Sequence, residues 1–433
     1  MSDARPDSPL DLAIAGGGAA GYFAAITCGE ARPGSRITIF ERTSRPLGKV
    51  KISGGGRCNV THACFDPRDL VTYYPRGARQ LIGPFHRWGP AETMDWFERR
   101  GVALKVEPDN RVFPVTDRSQ TVIDCLESAA RDAGVRIRTS VSVARAEPSK
   151  DGFHLDLDTG EGISTRRLLV ATGGTRQPSG ATIAGGFGHR VEPAAPSLFT
   201  FRIDDPRLHG LAGLSVETAT LRVIDPPSSG RGEANRSKKN ALVTTGPVLV
   251  THGGLSGPGI LRVSAWGARE LAAVDYRFTI EVDWTGGAGP ESVLERFTML
   301  REAHPRKGIG NDPQFGIPTR LWKRLVTASG LPAGGENAAR WPHLSRDAAR
   351  RFAGELTAGR FAVDGKSMNK DEFVTCGGVA LREVDFQKME SRLVPGLHFA
   401  GEVLDIDGIT GGFNFQSAWT TGHIAGGAVA DSL

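Results

Sequence analysis

Three glycine-rich segments carry the chemistry that this sequence can do. The first is Gly16-Gly17-Gly18-Ala19-Ala20-Gly21. It follows an apolar strand, Leu12 to Ala15, and precedes an apolar helix, Tyr22 to Cys28. A second strand, Arg36 to Phe40, ends in Glu41 and Arg42, with Glu41 twenty residues after Gly21. In a chain with 56 glycines a bare G-x-G-x-x-G arises by chance. The strand before it, the helix after it and an acid at this distance make it the fingerprint of a dinucleotide site. Gly16 lets the chain turn sharply, Gly18 lets a pyrophosphate approach the backbone, and Gly21 lets helix pack on strand. The helix start at Ala19 and Ala20 offers N–H groups and a positive dipole to phosphates. Glu41 can accept hydrogen bonds from a ribose diol and would repel a 2′-phosphate.

The second segment is Gly48-Lys49-Val50-Lys51-Ile52-Ser53-Gly54-Gly55-Gly56-Arg57-Cys58-Asn59. Read as a loop, its three consecutive glycines leave N–H groups for an anion or a ring oxygen, and Lys49, Lys51 and Arg57 add positive charge. This suits a flavin, whose reduced N1–O2 edge is anionic and whose ring needs close backbone contact. The third segment is Gly401-Glu402, then Asp407 and Gly411-Gly412-Phe413-Asn414. Glu402 or Asp407 can bind ribityl hydroxyls, and the N–H groups of Gly412 to Asn414 can point at a flavin pyrimidine from a helix start. Strand Leu168 to Ala171 enters Thr172-Gly173-Gly174.

Other reactive side chains are few. His252, in a loop between glycine, serine and proline, could protonate a carbanion after hydride transfer; alternatively it holds the loop by hydrogen bonding. Arg57 and the neighbouring N–H groups could lower the Cys58 pKa. Five residues lie between Cys58 and Cys64, against the four of flavin disulfide reductases, and nothing supplies a resolving geometry. Cys58, His62 and Cys64 lack a fourth ligand at a useful spacing, so no metal site is expected.

These segments need a scaffold. Residues 1 to about 195 read as α/β, with a helix from about Ser119 to Ala133 and strands over Val135 to Ala146 and Phe153 to Leu157. From 196 to about 285 short strands alternate with turns, as in Phe199 to Ile203, Thr218 to Ile224 and Phe278 to Val282. Pro226 to Asn240 reads as an exposed hairpin loop. Helical periodicity dominates 286 to 358, residues 359 to 370 return to the β-rich part, and α/β character resumes from 371 to 433. The expected architecture is a nucleotide-binding α/β domain interrupted by a long insertion. The insertion, about Pro196 to Lys370, would form the substrate side of a cleft.

Bulk properties narrow the field. The net charge of +5 is spread along the chain. It suits an anionic cofactor or substrate, and without a basic stripe carrying aromatics it makes nucleic acid an unlikely partner. No run of about 18 apolar residues exists, so no membrane span is expected. The polar N-terminus lacks a signal-peptide core, and five cysteines without close pairs fit a reducing cytosol, so a cytoplasmic protein is expected.

SGGGRCNVTH (53–62), ATGG (171–174), THGGLSGPGIL (251–261), VTCGGV (374–379) and GLHFAGEVLDIDGITGGFNFQSAW (396–419) occur in this order. In these segments, and from about Leu12 to Gly427, the chain resembles the BaiN-type (YhiN-like) flavoproteins, NAD(P)/FAD-dependent oxidoreductases. The resemblance implies a Rossmann-like, two-dinucleotide-type FAD-binding α/β domain interrupted by a β-rich insertion with a helical subdomain, FAD as cofactor, and Val143 as the strand residue whose backbone reads the adenine. It also makes a C=C reductase acting on a small-molecule enone a candidate. No second complete G-x-G-x-x-G exists for a nicotinamide, so NAD(P)H would be a transient donor. An RNA-associated or RNA-modifying flavoprotein and a flavin-binding protein without turnover are the competing classes.

Overall fold

The computed structural model describes residues 9–174, 178–224, 242–367 and 374–433. The chain divides into two compact units, Met1–Pro196 with Val374–Leu433, and Ser197–Phe373. The Pro226–Asn240 loop and the far end of the insertion, Lys370, lie outside the described residues.

The first unit is built on a parallel sheet. Its strands are β1 (Leu10–Ala15), β2 (Ile37–Glu41), β3 (Arg136–Thr139), β4 (Gly162–Val170) and β5 (Leu397–Phe399), in the order β5-β4-β1-β2-β3. Leu12, Ala13, Ile14 and Ile39 are fully buried, as a sheet covered on both faces requires. Two antiparallel strands, Val143–Ser149 and Gly152–Leu157, join the β4 side. The single strand read over Val135 to Ala146 is therefore two. Ser140, at φ +56, breaks it.

Two helices cross this sheet close together: α1 (Ala19–Ala31) and α2 (Phe413–Ser432). The contact works because α2 carries Gly422 and Gly426 four residues apart, on one face. A Cβ on Gly422 would stand 2.6 Å from the Ala20 carbonyl oxygen, and one on Gly426 2.3 Å from that of Ala24. Backbone meets backbone, as in small-residue helix pairs. Beside the seam His423 stacks on Trp88 with centroids 3.8 Å apart, its Nδ1 3.2 Å from the Thr27 hydroxyl.

Burial, with Arg87 nearby, holds the His423 pKa down to about 4, against an ordinary 6.5. The unfolded chain takes up this proton near pH 6.5 and the folded chain only near 4. Its contribution is thus present above 6.5 and lost as pH falls to 4. The melting temperature should fall across that window, and His423→Phe, which keeps the stack, should flatten the fall. An equal slope in both proteins would remove His423 as its source.

The second unit holds a seven-stranded antiparallel sheet, ordered Gly359–Val363, Phe278–Asp283, Ser215–Ile224, Val243–Thr251, Gly254–Ser256, Thr200–Arg202, Gly365–Ser367. Phe278–Asp283 alternates buried and half-buried residues, the period of a strand with one face on a core. Helices Gly289–Ala303, Thr319–Ala328 and Arg346–Ala358 share that core: Phe297 stacks on Phe352, and Trp284 meets Phe361 edge-on. Arg207 ties the two layers. It pairs with Asp205 and Glu355, and its guanidinium lies 3.7 Å over the Phe361 ring.

Candidate functional site

The end of β1 is the tightest point of the first unit. Gly16 has φ +114, and a Cβ there would lie 2.4 Å from the Ala171 carbonyl oxygen. Ala171 follows β4, and its N–H donates to the Ala15 carbonyl at 2.8 Å. A Cβ on Gly21 would come 2.1 Å from the Gly16 carbonyl oxygen. Gly18 differs: it is the N-cap of α1 at φ −89, and a Cβ there would meet nothing within 4 Å. Two glycines thus close the backbone and the third leaves open space at a helix start.

Glu41, at the tip of β2, is held by donors of the protein itself. One carboxylate oxygen accepts from the Gly17 N–H at 2.8 Å, the other from the Thr43 N–H and hydroxyl at 2.8 and 2.7 Å. Arg42 beside it is exposed. The Val141 N–H donates to the Glu41 carbonyl, and Val143 opens the next strand, buried and in register with Leu157.

Beyond β4 and β5 a second group gathers. Gly173 has φ +79, and a Cβ there would find only the Glu402 carboxylate, at 3.9 Å. Glu402 pairs with Lys49 and accepts from the Thr375 N–H at 3.2 Å. Among the described residues the Thr375 hydroxyl is buried without a hydrogen-bond partner, and a Cβ on Gly174 would lie 2.2 Å from it. Such an orphan beside a carboxylate, a lysine and two glycines is a polar recess that a ligand hydroxyl or phosphate would satisfy. Gly401, at φ +74, donates its N–H to the Thr421 hydroxyl oxygen of α2 at 2.9 Å. Thr172 packs its hydroxyl against Gly180.

The Gly48–Gly56 segment is a helix rather than a loop, until Ser53 (ψ 151), Gly54 (φ +57) and Gly55 (φ +69) break it. Its apolar Val50 is buried, which the polar reading of the segment missed. Cβ atoms on Gly55 and Gly56 would meet open space, whereas one on Gly54 would strike Phe113 at 2.9 Å. Lys51 donates to Gln120 at 2.6 Å. Arg57 donates to Glu107 at 2.6 Å and lies 3.9 Å over the Phe113 ring. Cys58 is fully buried, and burial raises its thiol to about 12, offset in part by Ser53, so it is no thiolate. Among the described residues no group of side chains could hold a metal ion.

Asn59 joins this segment to the third. Oriented to satisfy both ends, its amide donates to the Val112 and Thr61 carbonyls and accepts from the Gly412 N–H at 3.0 Å. Gly412, at φ +94, caps α2. Asn414 makes a reciprocal pair with Gly408, both bonds 2.8 Å. Phe413 is buried under two rings, Tyr73 stacked at 4.5 Å and His62 at 4.5 Å, and the His62 Nδ1 lies 3.1 Å from the Gly411 carbonyl oxygen. Asp407, fully buried, is held by the fork of Arg76. Tyr73, Arg76 and Thr375 went unread in the sequence, although the run Tyr73-Tyr74-Pro75-Arg76-Gly77 marks an aromatic turn followed by a cation.

His252, in the second unit, occupies with Gly253 a two-residue hairpin turn between Val243–Thr251 and Gly254–Ser256, exposed at its tip. Pro258–Trp266, which follows that turn, is a helix with Pro at its first turn.

One constellation imitates a hydrolase. The His189 ring nitrogens lie 3.1 Å from Glu383 and 2.7 Å from the Ser391 hydroxyl. Yet the imidazole is fully buried, and the Ser391 oxygen already accepts from the N–H groups of Leu393 and Val394. Burial lowers the His189 pKa against the pull of Glu383. The network clamps the 384–391 hairpin. Ser391→Ala should cost about 1–3 kcal/mol of stability, the penalty for orphaned buried donors. A fluorophosphonate should leave the wild type unlabelled; labelling at Ser391 would show a nucleophile instead.

A parallel sheet with a glycine turn at the β1–α1 junction, an acid at the tip of β2 and a polar recess beyond β4 and β5 defines a Rossmann-type FAD-binding protein. The chain belongs to the family of the HI0933-like protein Rossmann domain, whose model matches residues 10–428, a BaiN/YhiN-like family of FAD-dependent oxidoreductases. It is 30% identical over 420 residues to the ribosomal RNA dihydrouridine synthase of Escherichia coli K12, covering 95% of this chain and 96% of that one. It is 26% identical over 430 residues to the 3-dehydro-bile acid delta(4,6)-reductase of Clostridium scindens, covering 97% and 99%. Among solved structures, the 3-ketosteroid-delta4-(5alpha)-dehydrogenase of Rhodococcus jostii RHA1 superposes with a TM-score of 0.49 at 14% identity, covering 99% of this chain and 98% of that one. The first of these names undermines the expectation, drawn from diffuse charge, that nucleic acid is no partner. Among the described residues no helix is long and apolar enough to cross a membrane.

Proposed function

We propose that this protein reduces a carbon–carbon double bond conjugated to a carbonyl, using FAD recharged by NAD(P)H. One observation carries the reading. Two relatives, each aligned along nearly all of this chain, bear names that denote this chemistry: a delta(4,6)-reductase of a 3-oxo steroid acid, and a synthase of dihydrouridine, which is uridine reduced at its 5,6 bond. The acceptor of the first is a small enone. The second favours a uridine within RNA, and its higher identity, 30%, keeps that acceptor in the test.

Bound FAD supplies hydride transfer. The open helix start at Gly18, Ala19 and Ala20 would hold its pyrophosphate, Glu41 its adenosine ribose, and Val143 would face the adenine. Glu402, Lys49, Thr172 and Gly173 would line the ribityl side, with Gly55, Gly56 and the Gly411–Asn414 turn nearer the ring. Two imidazoles compete to deliver the proton that follows hydride: His252 at the hairpin tip and His62 beside Gly411.

Stopped-flow mixing tests the donor, since NADH or NADPH should bleach the flavin. Reoxidation then tests the acceptor, comparing a 3-oxo-4-ene steroid with a uridine-containing RNA. An enzyme bleached by neither nucleotide, or reoxidised by neither acceptor, would refute the reading. General acid catalysis is worth about 10² to 10⁴ in rate. Loss of the true acid, by His252→Ala or His62→Gln, should slow reoxidation within that range and leave bleaching intact. Equal reoxidation rates in both variants would leave water as the donor.

A further inference from the structure

The first unit contains a cavity of about 960 Å³ that the cofactor reading does not use. It opens at the β5 edge of the sheet, between the helix Ala78–Arg87, the 384–391 hairpin and the last turn of α2. The fingerprint glycines lie past the C-terminal ends of β1 and β4. None of them lines this cavity.

Five cations line it: Arg87, Arg167, Arg382, Lys388 and Arg392. Three of the arginines spend donors on main-chain carbonyls rather than on carboxylates. Arg87 donates to the Gln387 carbonyl, Arg167 to those of Ser432 and Arg166, and Arg392 to that of Val384. A carbonyl orients a guanidinium without cancelling its charge. The lining carboxylates are Asp385, Glu390 and Asp431. Asp385 accepts from the Gln387 N–H and Glu390 from the Gly396 N–H. Asp385 approaches Arg392 no closer than 3.9 Å, and Glu383 approaches Arg382 no closer than 3.8 Å. Five cations against three carboxylates leave the lining positive by two charges. Phe386 adds a half-buried ring to the wall. A guanidinium fork with spare donors matches phosphate oxygens, and an aromatic wall offers a base a face to stack on. The volume is within the range of small-ligand sites.

We propose that this cavity binds the phosphate of a nucleotide, at a site separate from the FAD fingerprint. The phosphate would come from a free nucleotide or from a strand of RNA, and two probes separate these sources. ADP and a fluorescent 12-residue oligouridylate are each titrated into FAD-saturated protein at low salt, so that the fingerprint is already filled. Arg382 and Arg392 are exposed, with side chains 69% and 56% accessible, so reversing their charge should leave the fold intact. Arg382→Glu with Arg392→Glu should weaken the bound probe at least tenfold, with flavin content and melting temperature unchanged. For RNA held by three cations the affinity should fall with salt at a logarithmic slope of about −2. Binding of ADP identifies a free nucleotide as the ligand, and binding of the oligouridylate alone identifies a strand. If the double variant does not fold, Lys388→Glu carries the same test. No binding of either probe, or a loss smaller than threefold on charge reversal, overturns the proposal.

Discussion

Gly16→Ala is expected to yield protein that lacks FAD and folds poorly, while Gly18→Ala yields stable protein that holds FAD weakly. The contrast follows from what each new methyl group would meet. At Gly16 it would lie 2.4 Å from the Ala171 oxygen, 2.7 Å from its carbonyl carbon and 2.9 Å from the Thr172 Cα, all main-chain atoms just past the end of β4. The residue also sits at φ +114, which side-chain-bearing residues rarely adopt. Neither β1 nor β4 can yield without breaking the sheet, so a loss of about 4–5 kcal/mol is expected. At Gly18 the protein offers no obstacle, and φ is an ordinary −89. The methyl there would displace only the ligand. Losing one hydrogen bond to a charged phosphate costs about 1.5–3 kcal/mol of binding. Flavin absorbance after purification and a thermal melt separate the two. If Gly16→Ala melts like the wild type, the strand ends are not as closely joined as described. If Gly18→Ala keeps full FAD affinity, the phosphates bind elsewhere.

Arg76→Ala should destabilise the protein almost as strongly. Asp407 is fully buried and meets the Arg76 fork head-on, and the two backbones also bridge. Removing one partner of a buried ion pair costs about 3–5 kcal/mol, because the other charge stays in a poor solvent. Replacing both, as Arg76→Met with Asp407→Leu, should recover most of that loss. Denaturant midpoints measure each step. A loss below about 1 kcal/mol for Arg76→Ala would mean that Asp407 does not depend on this partner. The result also bears on the cofactor: a carboxylate so engaged shapes the Gly408–Gly412 turn more than it reaches for a ribityl hydroxyl.

The parts of this protein legible in the sequence are those whose cause is local. Gly16 and Gly21 are legible because a sharp turn and a close helix each demand a residue without a side chain. Alternating strands such as Phe278–Asp283 declare themselves by period alone. The rest depends on partners far away in sequence. Nothing near Asn59 says that its amide serves Gly412, and nothing near Arg76 names Asp407. Gly48–Gly56 misled because three glycines suggest a loop, whereas buried Val50 anchors a helical turn ahead of them. Thr251 to Pro258 misled in the same way: pairing of Thr251 with Gly254 turns a loose-looking stretch into a tight hairpin.

The backbone contact between α1 and α2 also sets a timetable for synthesis. Helix α1 emerges from the ribosome early, and the helix that Gly422 and Gly426 press against it emerges only after the whole of Ser197–Phe373. The same late segment brings Glu402 and the Gly411–Asn414 turn. With the flavin held as proposed, a nascent chain halted anywhere in the second unit would hold half a cradle and retain no flavin. On the assignment proposed above, flavin capture would wait for α2 and the Gly411–Asn414 turn, and yellow colour in a ribosome-bound population would report only chains translated through them.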